Sequence, residues 1–454
     1  MASRAARQQQ IPRPRLLQAV IDAFQQPDIR KKLFITLGLL VVFRFVAHVP
    51  IPGVDRALLE QAFDNNALLG LFNLFSGGAL RNLSVAALGV YPFITAQIIM
   101  NLLVPIVPSL QALSREGESG RNRIQLYTHY AAVPMSVVQG YAQLVILEQS
   151  GAISGIGFTG PEALPTISAV ISMMAGTMFL VWLGEIITEN GIGNGISLII
   201  FGGIVAGLPT LFPQIVSQNV GWFSIAAMIV IGVAVLAAIV FVQEAQRRIP
   251  VQYARSVFRS GRMYRQSGQS HIPLRVNSAG MIPLIFAFSI VIFPPVAADF
   301  VRNQTSTPWV INFADAVVNW FGPTGSIVSP VFILTIFVLV MVFTFFYTLV
   351  IFQQQNMAEN LQKNGGFVPG IRPGRPTAEY IMRVLVRITW GGAIFLGFIA
   401  VVPYLLPYVV TGFQNVNSLT LSGTGLLIMV GVVLDTMRQL ESQLMMRNYE
   451  GFIR

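Results

Sequence analysis

Residues 89–94 read GVYPFI and residues 280–285 read GMIPLI. Both spell Gly-x-x-Pro-x-Ile within long apolar runs. A proline in a helix interior removes a hydrogen bond and clashes with the preceding turn, at a cost of about 3 kcal/mol. The sequence therefore predicts two apolar helices disturbed in the same way. What the match means depends on where the two stretches fall along the chain.

Of the 454 residues, 54% are hydrophobic and 11% charged. A soluble domain carries about 25% charged residues. Most of this chain is therefore expected in lipid, where only helices and closed barrels satisfy every backbone group. The apolar runs are long and continuous, without the alternation of a barrel strand, so the expected class is all-α. Ten runs stand out: 33–49, 83–107, 126–147, 167–184, 196–212, 220–242, 279–298, 327–352, 384–410 and 419–434. Most reach the roughly 20 residues that span a bilayer. A nine-span reading, with 196–212 and 220–242 assigned otherwise, competes. The opening MASRAARQQQIPRPR is polar and basic and reads as a tail rather than a cleavable leader.

The net charge is +10. Its distribution points to membrane orientation and weighs against DNA as a partner. With a cytoplasmic N-terminus, the inner segments are 1–32, 108–125, 185–195, 243–278, 353–387 and 435–454. All of the 29 Lys and Arg residues lie there except Arg44, Arg56, Arg81 and Arg302. That asymmetry follows the positive-inside rule and puts both termini in the cytoplasm. Two inner segments, 244–277 and 353–387, are long for connectors. One reading is orientation plus contact with anionic lipid. The other is a docking surface for a large cytoplasmic partner. The mix of Tyr253, Arg255, Phe258, Arg259, Arg262, Tyr264 and Arg265 favours the second, because it suits RNA or a protein surface.

Numbered in order, GVYPFI falls in the second run and GMIPLI in the seventh. Each is the second span of a five-span half. Matching interruptions at matching ranks point to inverted repeats with a site between them. Chance is the competing reading, since Gly and Pro are common in membrane helices.

Ionisable groups are scarce within the runs. Glu185 and Glu189 flank the fourth, Asp435 ends the tenth, and His129 opens the third. Arg44 lies deep in the first and is expected to snorkel or pair with a polar group rather than gate. A central path would be lined by aliphatic and small residues, and such a constriction excludes ions by dewetting. In 189–209, Gly191, Gly193 and Gly195 make a loop and Asn194 is a candidate cap. Gly202, Gly203 and Gly207 allow close packing, while Ile196 and Ile200 share a helix face. Residues 66–84 are apolar but too short to cross and read as a re-entrant or interfacial segment with a Ser76-Gly77-Gly78 hinge. The histidines (48, 129, 271) lack metal-ligand spacing, there is no cysteine, and no nucleophile or nucleotide motif occurs, so a non-enzyme is expected. A secondary transporter of a small solute is the alternative class; it needs a polar midplane site.

Several blocks resemble one family. They include FRFVAHVPIPGVD (43–55), LFSGGALRNLSVAALGVYPFITAQIIMNLL (74–103), GESGRNRIQLYT (117–128), WLGEIITENGIGNGISLIIFGGIVAGLP (182–209), FVPGIRPGRPTAEYI (367–381) and LLIMVGVVLDTMRQLESQLMMRNYE (426–450). Together they resemble the SecY/Sec61-alpha family of protein-conducting channels. The resemblance implies ten transmembrane helices in two inverted halves around an hourglass pore, opening between helices two and seven. It implies halves at 33–215 and 216–440, flanked by a tail at 1–32 and another at 441–454. Pore-ring positions correspond to Val90, Ile94, Ile196, Ile200, Ile285 and Ile428, with Val90 where many relatives carry Ile. A plug corresponds to about 67–77, with Leu68, Leu71, Phe72, Leu74 and Phe75. Lateral-gate positions correspond to Pro92, Thr95, Asn101, Asn277 and Pro283. Docking of motor and ribosome corresponds to Arg247, Arg248, Arg255, Arg259 and Arg372. The implied partners are SecE, SecG, the SecA ATPase, the ribosome, signal peptides and preproteins, in the bacterial plasma membrane.

Overall fold

The computed structural model describes residues 24–51, 59, 76–149, 153, 155–157, 160–217, 222–259, 262–280, 282–304, 307–321, 329–355, 357–409 and 423–450. Its helices are α1 (Pro27–Val46), α2 (Tyr91–Ile106), α3 (Pro108–Arg115), α4 (Glu118–Gln149), α5 (Ala163–Asn190), α6 (Gly195–Ser217) and α7 (Trp222–Glu244). They continue as α8 (Ile282–Gln304), α9 (Pro308–Phe321), α10 (Pro330–Gln355), α11 (Met357–Lys363), α12 (Arg375–Val409) and α13 (Gly423–Glu450). Every apolar run contains a helix, and 196–212 and 220–242 hold separate ones, α6 and α7. Among the described residues, four stretches are long and apolar enough to cross a membrane: Glu118–Glu148, Gly160–Asn190, Pro330–Lys363 and Arg375–Leu405. α2 and α3, bent by 96° where they meet, make a fifth if taken together.

The all-α expectation fails in the polar segments. Residues 244–277 are not an irregular loop but a long antiparallel hairpin, β1 (Gln246–Arg259) with β2 (Arg262–Arg275). A two-residue strand, β3 (Gly366–Phe367), pairs with β1 at Gln252 and Tyr253. The sheet order is β2-β1-β3. The cause is legible in the pairing. Ile249 and Val251 alternate with exposed Arg248 and Pro250, so one face of the hairpin base is apolar. That face buries Ile249, Val251 and Leu274 against Leu361, Val368 and Ile381. The two long polar segments are thus one body, joined by a sheet and a small core.

The main core gathers buried side chains from α1, α2, α5, α6, α7, α8, α10, α12 and α13. A smaller cluster packs Leu80, Leu83, Ala87 and Leu88 against Leu144, Leu147, Val170 and Met173 of α4 and α5. α6 starts at the loop between α5 and α6 because Asn194 caps it: its Oδ1 accepts the Ser197 N–H at 3.1 Å. Gly202 lies near Leu40 and Gly203 touches Gly77, but a side chain at Gly207 would meet nothing within 4 Å.

Candidate functional site

The two Gly-x-x-Pro-x-Ile stretches both start helices. The expectation of prolines inside helices is corrected here. Residues 83–90 form turns, and α2 begins only at Tyr91, with Pro92 in its first turn. α8 begins at Ile282, so Pro283 is also in a first turn. The first turn has no intrahelical partner for its N–H groups, so proline loses nothing there. Gly89 and Gly280 have φ of +59° and +66°, the left-handed region that glycine reaches without penalty. The motif is thus a glycine-turned, proline-initiated helix start, used twice.

Behind each start the isoleucine is buried: Ile94 is 6% exposed and Ile285 4%. Both belong to one cluster with Val90, Ile200 and Ile428, which are also buried. Ile196 is half-buried at its margin and reaches a second cluster of Phe93, Ala96, Ala132 and Val181. Five of the six aliphatic positions, from the turn before α2 and from α2, α6, α8 and α13, are therefore buried in the main core, and Ile196 packs against it. α8 is held to α10 by Phe286, whose ring meets Phe343 and Tyr347 edge-on at 5.9 and 5.8 Å.

Polar contacts cluster at the junction of α2 and α8. The Tyr91 and Ser289 side chains lie close together across it. Thr95 Oγ1 donates to the Tyr91 carbonyl at 3.0 Å and accepts from Gln139 Nε2 of α4 at 3.2 Å. Asn101 is half-buried further along α2. Asn277 is buried, and its Nδ2 donates to the Gly280 carbonyl at 3.1 Å. It braces the turn that launches α8. On the far side of α2, Phe93 stacks edge-on against His129 at 5.2 Å, and His129 Nε2 lies 2.9 Å from Glu185 of α5. Gln125 also donates to Glu185, at 2.8 Å.

Arg247 and Arg248 are exposed at the base of β1. Arg255 and Arg259 lie further out on that strand, opposite Gln266 and Arg262 in register. Arg372 is exposed in a turn framed by Gly370 and Gly374, whose φ values are +81° and +95°. Thr377 Oγ1 donates to the Arg372 carbonyl at 2.8 Å and fixes the turn. Burial lowers the Arg275 guanidinium below its usual range, with Arg438 adding to the effect. Arg438 bonds Glu244 at 2.6 Å and so ties α13 to the end of α7. Leu68, Leu71, Phe72, Leu74 and Phe75 lie outside the described residues.

Sequence reasoning missed three features. The hairpin was signalled by alternation at 249–253 and by Ser260-Gly261 between two strand-like runs. The approach of Tyr91 to Ser289 was signalled by a hydroxyl inside each matched helix. The bond from Arg44 Nη1 to the Gly77 carbonyl at 3.1 Å, and the contact of Gly203 with Gly77, had no local signal, because they join distant segments.

This geometry defines a multi-pass helical membrane protein with two like helix starts packed into one apolar core and a polar body built from two joined loops. The SecY family model matches residues 84–437. The protein translocase subunit SecY of Streptomyces lividans is 44% identical over 97% of this chain and 100% of its own length. The corresponding subunit of Mycobacterium leprae (strain TN) is 40% identical over 97% and 100%. A solved structure of a protein conducting channel shares the fold at a TM-score of 0.63 and 18% identity, covering 93% of this chain and 96% of the other. Sec61 in a canine ribosome-channel complex does so at 0.60. The chain belongs to the SecY family.

Proposed function

We infer that this protein is the channel through which unfolded preproteins cross the bacterial plasma membrane and from which transmembrane segments enter lipid. The observation that supports the reading is that Val90, Ile94, Ile200, Ile285 and Ile428 are buried in one apolar core, with Ile196 packed against it, behind two helices that start alike. In this reading they are the pore ring, and the ten apolar runs are ten spans. The halves are 33–215 and 216–440, and both termini are cytoplasmic. Residues 67–77 are the plug.

The junction of α2 and α8 is the lateral gate, flanked by Pro92, Thr95, Asn101, Asn277 and Pro283. At rest the aliphatic ring excludes water and ions by dewetting. A signal peptide wedges between α2 and α8 and gains lipid contact there. That differential affinity shifts the population toward the open state. The chain performs no covalent chemistry, so the driving energy comes from the SecA ATPase or a translating ribosome. Arg247, Arg248, Arg255, Arg259 and Arg372, on the joined hairpin and turn, receive those partners. SecE and SecG complete the membrane complex, and anionic lipid meets the basic inner face.

Reconstitution in proteoliposomes tests the reading. Signal-dependent, ATP-dependent uptake of an unfolded preprotein with SecA is expected. Saturable uptake of a small solute without either would replace it with a carrier. Arg372→Glu is expected to reduce SecA-driven export severalfold while leaving thermal stability unchanged, because the side chain is exposed.

A further inference from the structure

The chain between α8 and α10 is not a plain connector. α8 leaves the polar body after β2, and its 23 residues extend about 34 Å at 1.5 Å each. That is enough to cross a hydrocarbon core of about 30 Å. α10 runs back: beyond its end, α11 places Leu361 in the core of the polar body. The end of α8 and the start of α10 therefore both lie at the membrane surface remote from that body. α9 sits between them in the chain and packs on both.

Its sequence, PWVINFADAVVNWF, divides into three strips. Ala314 and Val318, four apart, are buried, with Ile311 and Phe321 half-buried beside them. Asn312, Asp315 and Asn319 make a polar strip, and both asparagines are exposed. Trp309, Phe313 and Trp320 stand within about 40° of one another around the axis and are 72%, 67% and 57% exposed. A helix that packs on protein by one strip needs only one other for water. This one has a third, made of large aromatic rings. Water disfavours such a strip, whereas a tryptophan joins an apolar ring to a polar N–H and suits the level where lipid chains meet head groups. Val301 in the last turn of α8, and Val331 and Leu334 in the first turns of α10, are exposed as well, so apolar surface meets α9 from both neighbours. Asp315 is the one charged residue of α9, and its Oδ1 accepts from Arg302 Nη1 of α8 at 3.2 Å. The pair links α9 to the end of α8, and α9 offers no basic group to hold anionic lipid.

We propose that α9 lies along this membrane surface with Trp309, Phe313 and Trp320 seated among the lipid head groups and upper chain carbons, and that this seat pins the end of α8 at that depth. The occupant of the strip is lipid, whatever its head-group charge. The proposal rests on the chain being a multi-pass membrane protein and not on the channel reading.

The chain has no cysteine, so a single thiol carrying a nitroxide reports alone. The full chain is reconstituted in phosphatidylcholine vesicles, with and without phosphatidylglycerol. Collisions of the label with oxygen and with a water-soluble nickel chelate are read by spin resonance. At Trp309→Cys, Phe313→Cys and Trp320→Cys, the ratio of oxygen to nickel accessibility is expected to exceed that at Asn312→Cys and Asn319→Cys severalfold, in both kinds of vesicle. Phe313→Cys keeps both tryptophans, so the comparison survives if a tryptophan variant fails to fold. A label at Val301→Cys is expected to gain nickel accessibility when Trp309→Ser and Trp320→Ser are added together. Nickel access along the strip equal to that at the asparagines overturns the seat. So do labels shielded from both reagents, which would mean that protein covers the strip, a second copy of this chain included. A lipid signal that needs phosphatidylglycerol also overturns it, since charge would then be the cause. An unchanged label at position 301 overturns the pinning.

Discussion

The starts of α2 and α8 share a Gly-x-x-Pro-x-Ile pattern, left-handed glycines, first-turn prolines and buried isoleucines, yet they stand in different settings. The chain reaches Gly89 through buried turns locked to the end of α1 and to α4 and α5. It reaches Gly280 from the β2 strand, through a turn braced by Asn277. α2 then runs 16 residues before the bend into α3, whereas α8 continues for 23. The likeness is local and the difference is tertiary. In these two stretches a glycine and a proline three residues apart start a helix, whereas Gly366 and Pro369, at the same spacing, leave a strand for a turn. What the new helix leans on is decided by segments far away in sequence.

The largest expected effects come from breaking the shared isoleucines. Ile94→Asn and Ile285→Asn each bury an amide in the common apolar cluster. Each is expected to lower stability by about 3 kcal/mol and to raise resting conductance in proteoliposomes. Similar leaks from both would support an equivalent role. A leak from one alone would show that the match ends at the backbone. Gly280→Ala meets no atom within 4 Å, so only left-handed strain opposes it, at about 1 kcal/mol in thermal unfolding. Gly89→Ala, at a buried position, is expected to be at least as costly.

Tyr91→Phe removes a hydroxyl that lies beside Ser289 across the two starts. A loss of about 1 kcal/mol is expected, with easier crosslinking of a signal peptide at the α2–α8 junction. An unchanged crosslinking yield would show that packing alone holds the junction. The smallest effects are expected from Pro92→Ala and Pro283→Ala, within about 1 kcal/mol. A stabilisation of about 3 kcal/mol from either would mean that the proline strains its helix after all.

Much of this was legible in the residues. The apolar runs, the charge asymmetry, the Asn194 cap and the paired motif are statements about neighbours in sequence. Ile196 and Ile200 on one face of α6 follow from helical period. The misreadings share a cause. Gly-x-x-Pro inside an apolar run looks like a broken helix until the path of the preceding eight residues is known. The polar segment 244–277 hid a hairpin because charge drew attention away from the alternation of Ile249 and Val251.

Sequence by itself determined that the chain is helical and apolar, which loops carry its basic charge and that Asn194 caps a helix, because those properties depend on composition and on contacts a few residues long. Only the tertiary structure decided that these aliphatic side chains belong to one apolar core, that two polar loops form one sheet and that Arg44 meets Gly77. Each joins segments tens to hundreds of residues apart, and nothing local in the chain encodes which distant partner fills the space.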